Sequence, residues 1–180
     1  MPSPADPAAA PQNALRRFRR NRRGSSAVEF ALIAPVFFAL LFATLETAII
    51  FFAGQVLEAG VENTGRLIYT SQLGTMTAAD FKQDLCNRVS MLFDCTGVDI
   101  DLRAYAPGTP ITITDPIDAA GNYAPDFVFQ KPATSDAAVF RAFYRWPLVV
   151  TGLGYNLANI GRGTSSSKKL LAATIATGPQ

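Results

Sequence analysis

Two carboxylates occupy a segment that is otherwise without charge. Glu29 and Glu46 are the charged side chains of the run from Ala27 to Gly54, in which most other residues are apolar. Placing a carboxylate near the centre of a bilayer costs on the order of a few kcal/mol, and less near the bilayer surface. Glu29 therefore either pairs with a positive group or is solvated by lipid headgroups. For Glu46, a contact with a protein neighbour and solvation at the outer surface both fit the sequence.

The sequence contains few residues that could form a catalytic site. Its 180 residues include no histidine, which removes the commonest general base and the commonest zinc ligand. No serine, cysteine or carboxylate has an evident partner base, so the sequence predicts no catalytic constellation. We expect that the protein is not an enzyme and that it uses no cofactor and no metal.

The basic residues are concentrated before the apolar run. Six arginines fall within eight positions: Arg16, Arg17, Arg19, Arg20, Arg22 and Arg23. Beyond residue 24 the chain keeps 10 of its 16 basic and 13 of its 14 acidic side chains, so the remainder is mildly acidic. Nucleic-acid binding requires a basic face on the folded part, and we expect no nucleic-acid partner. Residues 1–14, rich in Pro and Ala, are predicted to be disordered.

The run from Ala27 to Gly54 is long enough to cross a membrane. As a helix, its 28 residues span about 42 Å, whereas a hydrocarbon core of about 30 Å needs roughly 20 apolar residues. The arginines precede this segment, and no comparable cluster follows it. The positive-inside rule then predicts a single span in membrane lipid, with the N-terminus in the cytoplasm and the C-terminal part outside.

The predicted location outside the cytoplasm permits a disulfide bond between Cys86 and Cys95. Eight residues separate the two cysteines, so the bond would close a small loop. Closing such a loop would stabilise the fold by about 2–3 kcal/mol. Two cysteines without histidine make a poor metal site, which also favours the disulfide.

Two helical patterns follow the apolar run. Residues 55–72 are predicted to continue the same helix in amphipathic form, with the apolar positions Val56, Leu57, Val61, Leu67, Ile68 and Tyr69. Gly60 and Gly65 weaken this helical pattern. Gly74-Thr75 should end it. Thr77 is then a plausible N-cap for a second helix from Ala78 to Phe93.

Beyond Gly97 the apolar period changes to two, which predicts strands. The predicted strands are 98–105, a short one at 111–114, 126–130, 138–150 and 168–177. The strongest signal is the alternation in 138–150, which Pro147 should end or place at a sheet edge. If this strand pairs with 98–105, the acidic Asp99 and Asp101 would face Arg141 and Arg145 across the ladder.

These patterns predict an α+β protein. A long N-terminal transmembrane helix continues into an amphipathic helix and is followed by a small extracytoplasmic domain with an antiparallel sheet. The predicted boundaries are a basic leader at 1–24, the membrane helix at 25–54, an amphipathic helical region at 55–97 and a β-rich domain at 98–180.

The junction at Gly24 resembles a type IV prepilin cleavage site. It combines a basic leader, Gly24-Ser25-Ser26, a glutamate at position 29 and an apolar helix. The resemblance implies that a prepilin peptidase cuts between Gly24 and Ser25 on the cytoplasmic face. A glycine suits this cut because it puts no side chain in the way of the protease. Glu29 would then be fifth in the mature chain, and in pilins the matching glutamate is thought to pair with the freed N-terminal amine of a neighbouring subunit.

The run from Arg22 to Gly60 is similar to the TadE-like minor pseudopilins of the tight-adherence (Flp) pilus. The shared features are Gly24, the Glu29-Phe30-Ala31-Leu32 run, Pro35, the second glutamate Glu46 and the long exit helix. This resemblance implies a bacterial inner-membrane protein whose partners are the prepilin peptidase, the inner-membrane assembly platform, and other pilins and pseudopilins.

Within this resemblance, Glu29 and Phe30 are candidates for subunit assembly, and Pro35 and Glu46 for helix contacts. Pro35 either kinks the span or is merely tolerated there. Two readings unrelated to pili also fit the layout. One is a signal-anchored envelope protein with a binding domain, and the other is a secreted protein behind an ordinary signal peptide.

Overall fold

The computed structural model of this protein describes residues 24–70, 72–150, 156–164 and 166–178. The predicted leader, apart from Gly24, and the predicted disorder of residues 1–14 lie outside these ranges. The elements in chain order are helix α1 (Ser25–Tyr69), helix α2 (Ala78–Val89), a 3-10 turn (Cys95–Gly97), and the strands β1 (Val98–Tyr105), β2 (Ala137–Pro147) and β3 (Lys168–Thr177). The predicted α+β class, with one long apolar helix and a small antiparallel sheet, is confirmed.

The chain divides into two compact units, one ending at Phe42 and the other beginning at Ala43. The described part of the first unit is Gly24 and the N-terminal part of α1, including Pro35, through which the helix continues. The second unit holds the rest of α1, α2 and all three strands.

Within the second unit, α1 places one apolar stripe in the core. The buried members are Ile50, Ala53, Leu57, Val61 and Ile68, spaced at helical intervals. The prediction was right for Leu57, Val61 and Ile68 but wrong for Tyr69, which is exposed and donates its hydroxyl to the Ala176 carbonyl. The stripe begins at Ile50, so the domain core already covers one side of the last turn of the predicted membrane segment 25–54.

Gly60 and Gly65 lie where α1 closely contacts other elements, and the helix continues through both positions. A Cβ at Gly60 would come within 2.5 Å of Val89 Cγ1, and one at Gly65 within 3.1 Å of Ile175 Cγ2. The missing side chains let α1 approach α2 and β3 closely. The predicted continuation of the helix past these glycines is confirmed, because α1 runs without a break to Tyr69.

Helix α2 begins as predicted and ends earlier than predicted. Thr77 is its N-cap: the Thr77 hydroxyl accepts the N–H of Asp80, and the Asp80 carboxylate accepts the N–H of Thr77. This reciprocal capping box satisfies two donors that a helix start leaves unpaired. The helix ends at Val89 rather than Phe93, because the chain turns there and buries Phe93 against the rings of Tyr144 and Trp146.

The three strands form one antiparallel sheet in the order β1-β2-β3. Leu102 lies opposite Phe140, and Phe140 lies opposite Ile175. The β2 side chains alternate as predicted: Phe140 and Ala142 join the main core beside α1 and α2, while Phe143 joins a smaller cluster on the other face. Pro147 ends β2, which is the central strand. The predicted last strand, Lys168–Thr177, is confirmed.

Two predicted strands are absent from the connection between β1 and β2. Residues 111–114 form no strand, because the carbonyls of Thr112 and Thr114 accept from the side chains of Tyr105 and Arg141 instead of from a ladder. Residues 126–130 form only a single parallel bridge, between Phe129 and Leu102. Both segments instead cover the sheet as loops.

The predicted charge pairing across the sheet holds for one pair. Asp101 lies opposite Arg141, and the two form a buried ion pair with Nη2 2.6 Å from Oδ2. The pairing of Asp99 with Arg145 was wrong, because β1 begins opposite Tyr144 and Arg145 lies beyond that register. Asp99 instead accepts the hydroxyl of Tyr123 at 2.6 Å.

Candidate functional site

The predicted cleavage and assembly residues lie at the start of α1. Gly24 directly precedes the helix, is exposed, and has open space where a Cβ would be. Ser25 is the first helical residue. Glu29 and Phe30 lie one turn further along and are exposed, Phe30 to 69%. The structure thus places the four residues in or directly before the first two turns of the helix, and the predicted cleavage position, between Gly24 and Ser25, coincides with the start of α1.

The apolar helix surface is uncovered over most of its length. Large side chains from Val28 to Phe52 are exposed, among them Phe30, Leu32, Ile33, Leu40, Phe51 and Phe52. Soluble proteins rarely expose an apolar patch larger than a few hundred Å². Within the described residues, this is the one helix that is long and apolar enough to cross a membrane, which makes it a candidate single span.

The geometry of this helix agrees with the comparison to protein families. Residues 24–72 match the model of the TadE-like protein family. The predicted resemblance is confirmed over this segment, which starts at Gly24 and extends past the end of α1. The match indicates a role in the tight-adherence (Flp) pilus system and contact with other pilus components. No curated protein and no solved structure gives a significant match to the chain.

Pro35 and Glu46, the predicted helix contacts, have different surroundings. In the TadE-like segment Pro35 is exposed, and its suggested contact with a neighbouring helix stays a prediction. Glu46 is half-buried, and its carboxylate accepts the backbone N–H of Val149 at 2.5 Å and that of Val150 at 3.1 Å. Sequence reasoning weighed a partner protein and solvation for Glu46, and it missed this contact because the residues are 103 and 104 positions apart.

The predicted disulfide between Cys86 and Cys95 is confirmed, with the two Cα atoms 5.6 Å apart. It ties the last turn of α2 to the 3-10 turn before β1. Beside it, Arg88 donates to Asp84 across one helical turn, and Thr64 of α1 donates its hydroxyl to the same carboxylate at 2.9 Å. The hydrogen bond from Arg88 lowers the pKa of Asp84, and that from Thr64 lowers it further. The anionic form of Asp84 thus links α2 to α1.

A second polar network fixes the loops that cover the sheet. Asp101 is fully buried and accepts from Arg141, from Arg103 and from the Val128 N–H at 2.9 Å. Burial of Tyr123 and its hydrogen bond to Asp99 raise the pKa of the tyrosine hydroxyl. These networks hold the sheet and the loops that cover it in place.

Among the described residues, no three His, Cys, Asp or Glu side chains form a group that could hold a metal ion.

Proposed function

We propose that this protein is a minor pseudopilin that acts in assembly of a tight-adherence pilus and is processed by a prepilin peptidase after Gly24. The observation that carries the proposal is the coincidence of three boundaries. The arginines end at Arg23, the TadE-like match begins at Gly24, and α1 begins at Ser25. Cleavage at this junction would remove the basic leader and leave the helix as the N-terminus of the mature protein.

Glu29 has a specific task in this proposal. As the fifth residue of the mature chain it lies about 6 Å along the helix from the new amine of Ser25. Within one subunit the amine and the carboxylate lie on successive turns, so the amine of one subunit can meet the carboxylate of a neighbour that is displaced along the axis. Such a pair in lipid is favourable because each charge relieves the desolvation cost of the other. It would also set the axial register between subunits, while Phe30 would pack beside it.

We also propose where the protein is located and which proteins it contacts. The N-terminus lies in the cytoplasm, residues 25–54 of α1 cross the bacterial inner membrane, and the C-terminal domain that follows the span lies in the periplasm. The partners are the prepilin peptidase, the inner-membrane assembly platform, and other pilins and pseudopilins. The protein is a structural subunit rather than an enzyme.

The N-terminus of the mature protein tests the cleavage. In its native host, N-terminal sequencing and intact mass should give a chain that begins at Ser25. A chain that keeps Met1 and all six arginines would instead support a signal-anchored envelope protein unrelated to pili. A chain that begins near Gly54 would support a secreted protein. Either result overturns the proposal.

The role of Glu29 is tested by a pair of matched variants. Glu29→Gln removes the charge and keeps the shape, and it should abolish pilus production and cross-linking between subunits while leaving cleavage after Gly24 intact. Glu62→Gln changes an exposed glutamate of the same helix outside the apolar run, and it should have no effect. Normal pili in the Glu29→Gln strain would contradict the proposed pairing.

A further inference from the structure

The segment at the end of β2 lies against the apolar helix. Residues Pro147, Leu148, Val149 and Val150 form this segment, which we name the β2 loop, and none of its side chains is charged. The carboxylate of Glu46 accepts the N–H groups of Val149 and Val150. These bonds place the tip of the β2 loop beside Glu46 and therefore at the same level along the axis of α1.

The exposed surface of α1 shows what surrounds that level. Phe51 and Phe52 lie five and six residues beyond Glu46, toward the core of the second unit, and they are 72% and 56% exposed. At about 1.5 Å per residue, Phe52 is about 9 Å further from the start of the helix than Glu46. Any lipid layer that covers both phenylalanines must therefore extend past the level of Glu46 and reach the β2 loop.

The β2 loop has the chemistry that insertion into lipid requires. Val149 is 87% exposed, so its side chain is directed away from the protein. An exposed loop in lipid loses the water that would bond to its backbone, and each unsatisfied N–H costs several kcal/mol. Here Glu46 accepts the two N–H groups at the tip. These two N–H groups are thus satisfied from within the protein, while the apolar side chain of Val149 faces outward.

The position of Trp146 supports the same assignment. Trp146 is the single tryptophan of the chain and directly precedes the β2 loop. Its ring is half-buried and packs edge-on against Phe93, at the end of the second unit where β2 finishes. Tryptophan is enriched at the boundary between lipid and water because its ring is amphipathic. The loop beyond it would lie on the lipid side of that boundary.

We infer that the β2 loop is a second membrane contact, inserted into the leaflet from which α1 emerges and held there by Glu46. Lipid is the occupant because the surface of the loop is continuous with the exposed apolar surface of α1. One consequence is that a single helix leaves the domain free to tilt relative to the bilayer surface, whereas a second contact with the same leaflet restricts that tilt. The inference rests on the proposed membrane span and does not depend on the role in pili.

Spin labels at three single cysteines test this inference in the full chain, reconstituted into phosphatidylglycerol and phosphatidylcholine vesicles. The native cysteines are joined to each other, so Val149→Cys, Leu40→Cys and Ile111→Cys can be labelled selectively. Power saturation compares access to oxygen, which partitions into lipid, with access to a water-soluble nickel chelate. Labels at Leu40→Cys and Val149→Cys should favour oxygen at least threefold over the label at Ile111→Cys.

Ile111 is the matched control because it is an exposed apolar loop residue at the other end of the sheet. It is next to Thr112, whose carbonyl accepts the hydroxyl of Tyr105, and Tyr105 pairs with Ala137 at the start of β2. If Leu40→Cys favours oxygen and Val149→Cys favours nickel, the inference is overturned while the span stands. If Val149→Cys is inaccessible to both reagents, a protein neighbour covers the loop and the inference is also overturned. If Leu40→Cys favours nickel, the span itself is wrong.

Variants of Glu46 supply a second readout, the mobility of the spin label, which does not depend on how deeply the label is inserted in lipid. Glu46→Leu removes both acceptor oxygens, so the label at Val149→Cys should become more mobile and its spectrum should narrow. Glu46→Gln keeps one carbonyl acceptor and should restore part of the immobilisation. An unchanged spectrum in Glu46→Leu would show that Glu46 does not hold the loop.

Discussion

Arg141 and Asp101 lie directly opposite each other on neighbouring strands, and both are buried in the same ion pair. The Nη2 and Nε atoms of Arg141 donate to Asp101 Oδ2 at 2.6 and 3.0 Å, and Nη1 donates to the Thr114 carbonyl at 2.7 Å. The Asp101 carboxylate also accepts the N–H of Val128. This one pair therefore joins the sheet to two segments of the long loop that covers it, around Thr114 and Val128.

Removing one partner of this pair should be costly. Asp101→Asn leaves the Arg141 charge buried without its counter-ion, and breaking such a pair costs about 3–5 kcal/mol. Arg141→Met should cost less, because the Asp101 carboxylate keeps its ion pair with Arg103. The double variant Asp101→Asn, Arg141→Met should be less destabilised than the sum of the two single variants. The measurement is thermal unfolding of the detergent-solubilised protein, followed by the fluorescence of Trp146. As a matched control, Arg88→Gln breaks a partly exposed pair on a helix and should cost less than 1 kcal/mol. Equal losses in both pairs would contradict the importance of burial.

Glycines on α1 provide a second prediction, with a control in the same helix. Gly60→Ala puts a Cβ within 2.5 Å of Val89 Cγ1, and overpacking of this kind costs about 1–3 kcal/mol. Gly54→Ala meets nothing within 4 Å and should stabilise by about 0.5–1 kcal/mol, since alanine favours a helix over glycine. Unfolding temperatures of the two variants should therefore move in opposite directions. A Gly60→Ala variant as stable as Gly54→Ala would show that α1 and α2 separate easily.

These glycines illustrate what the sequence could and could not predict. The apolar run, the N-cap at Thr77, the alternation in β2 and the disulfide all depend on neighbours within a few residues, and all were predicted. Gly60 was interpreted only as a weak point of the helical pattern, because local helix propensity does not include its close contact with Val89. The contact between Glu46 and Val149 was missed for the same reason, since it joins residues 103 positions apart. Strand register is likewise a long-range property, so Asp101 and Arg141 were paired correctly and Asp99 was not.

The residues of the candidate site could be predicted from the sequence more completely than the fold could. Gly24, Glu29 and the apolar helix form one continuous stretch, so their spacing is readable without a structure. The structure adds that α1 begins at Ser25, the residue that cleavage would expose as the new N-terminus. Cleavage and subunit pairing involve other molecules, and these parts of the site stay predictions.

Acid should weaken the link between α2 and α1. The hydrogen bond from Arg88 lowers the pKa of Asp84 below its value in the unfolded chain, which is about 3.9. A carboxylate with a lowered folded-state pKa stabilises the fold above the unfolded pKa, and this contribution is lost as the pH falls through the folded-state pKa. The free energy of unfolding of the wild type should therefore decrease below about pH 4.

Variants of Asp84 and of its hydrogen-bond partners separate the contribution of Asp84 to the acid dependence of stability from that of the other carboxylates. Asp84→Asn should flatten the acid limb of the stability profile, and the difference from wild type should disappear at the lowest pH. Arg88→Gln removes the largest cause of the shift, so it should raise the pKa of Asp84 more than Thr64→Val does. Carboxyl chemical shifts of Asp84 followed through an acid titration give both values. A larger effect of Thr64→Val would reverse the assigned order of causes.

The disulfide should contribute stability that a reductant can remove. Cys86 is buried on α2, and Cys95 begins the 3-10 turn that leads into β1. Without the bond, the turn between α2 and β1 regains freedom in the unfolded chain, at a cost of about 2–3 kcal/mol for a loop of this length. The double variant Cys86→Ala, Cys95→Ala should therefore unfold at a lower temperature than the oxidised wild type.

Reduction provides the control for this variant, because it breaks the same bond without changing the sequence. Wild-type protein treated with a thiol reductant should unfold close to the temperature of the double variant, whereas the reductant should leave the double variant unchanged. Cys95→Ala alone should resemble the reduced protein, since Cys95 is only partly buried and its loss removes little packing. Cys86→Ser should be less stable still, because it places a hydroxyl at a position that is 1% exposed. If reduction has no effect on the wild type, the bond does not restrain the unfolded chain, and Phe93 and its ring contacts would have to hold this turn alone.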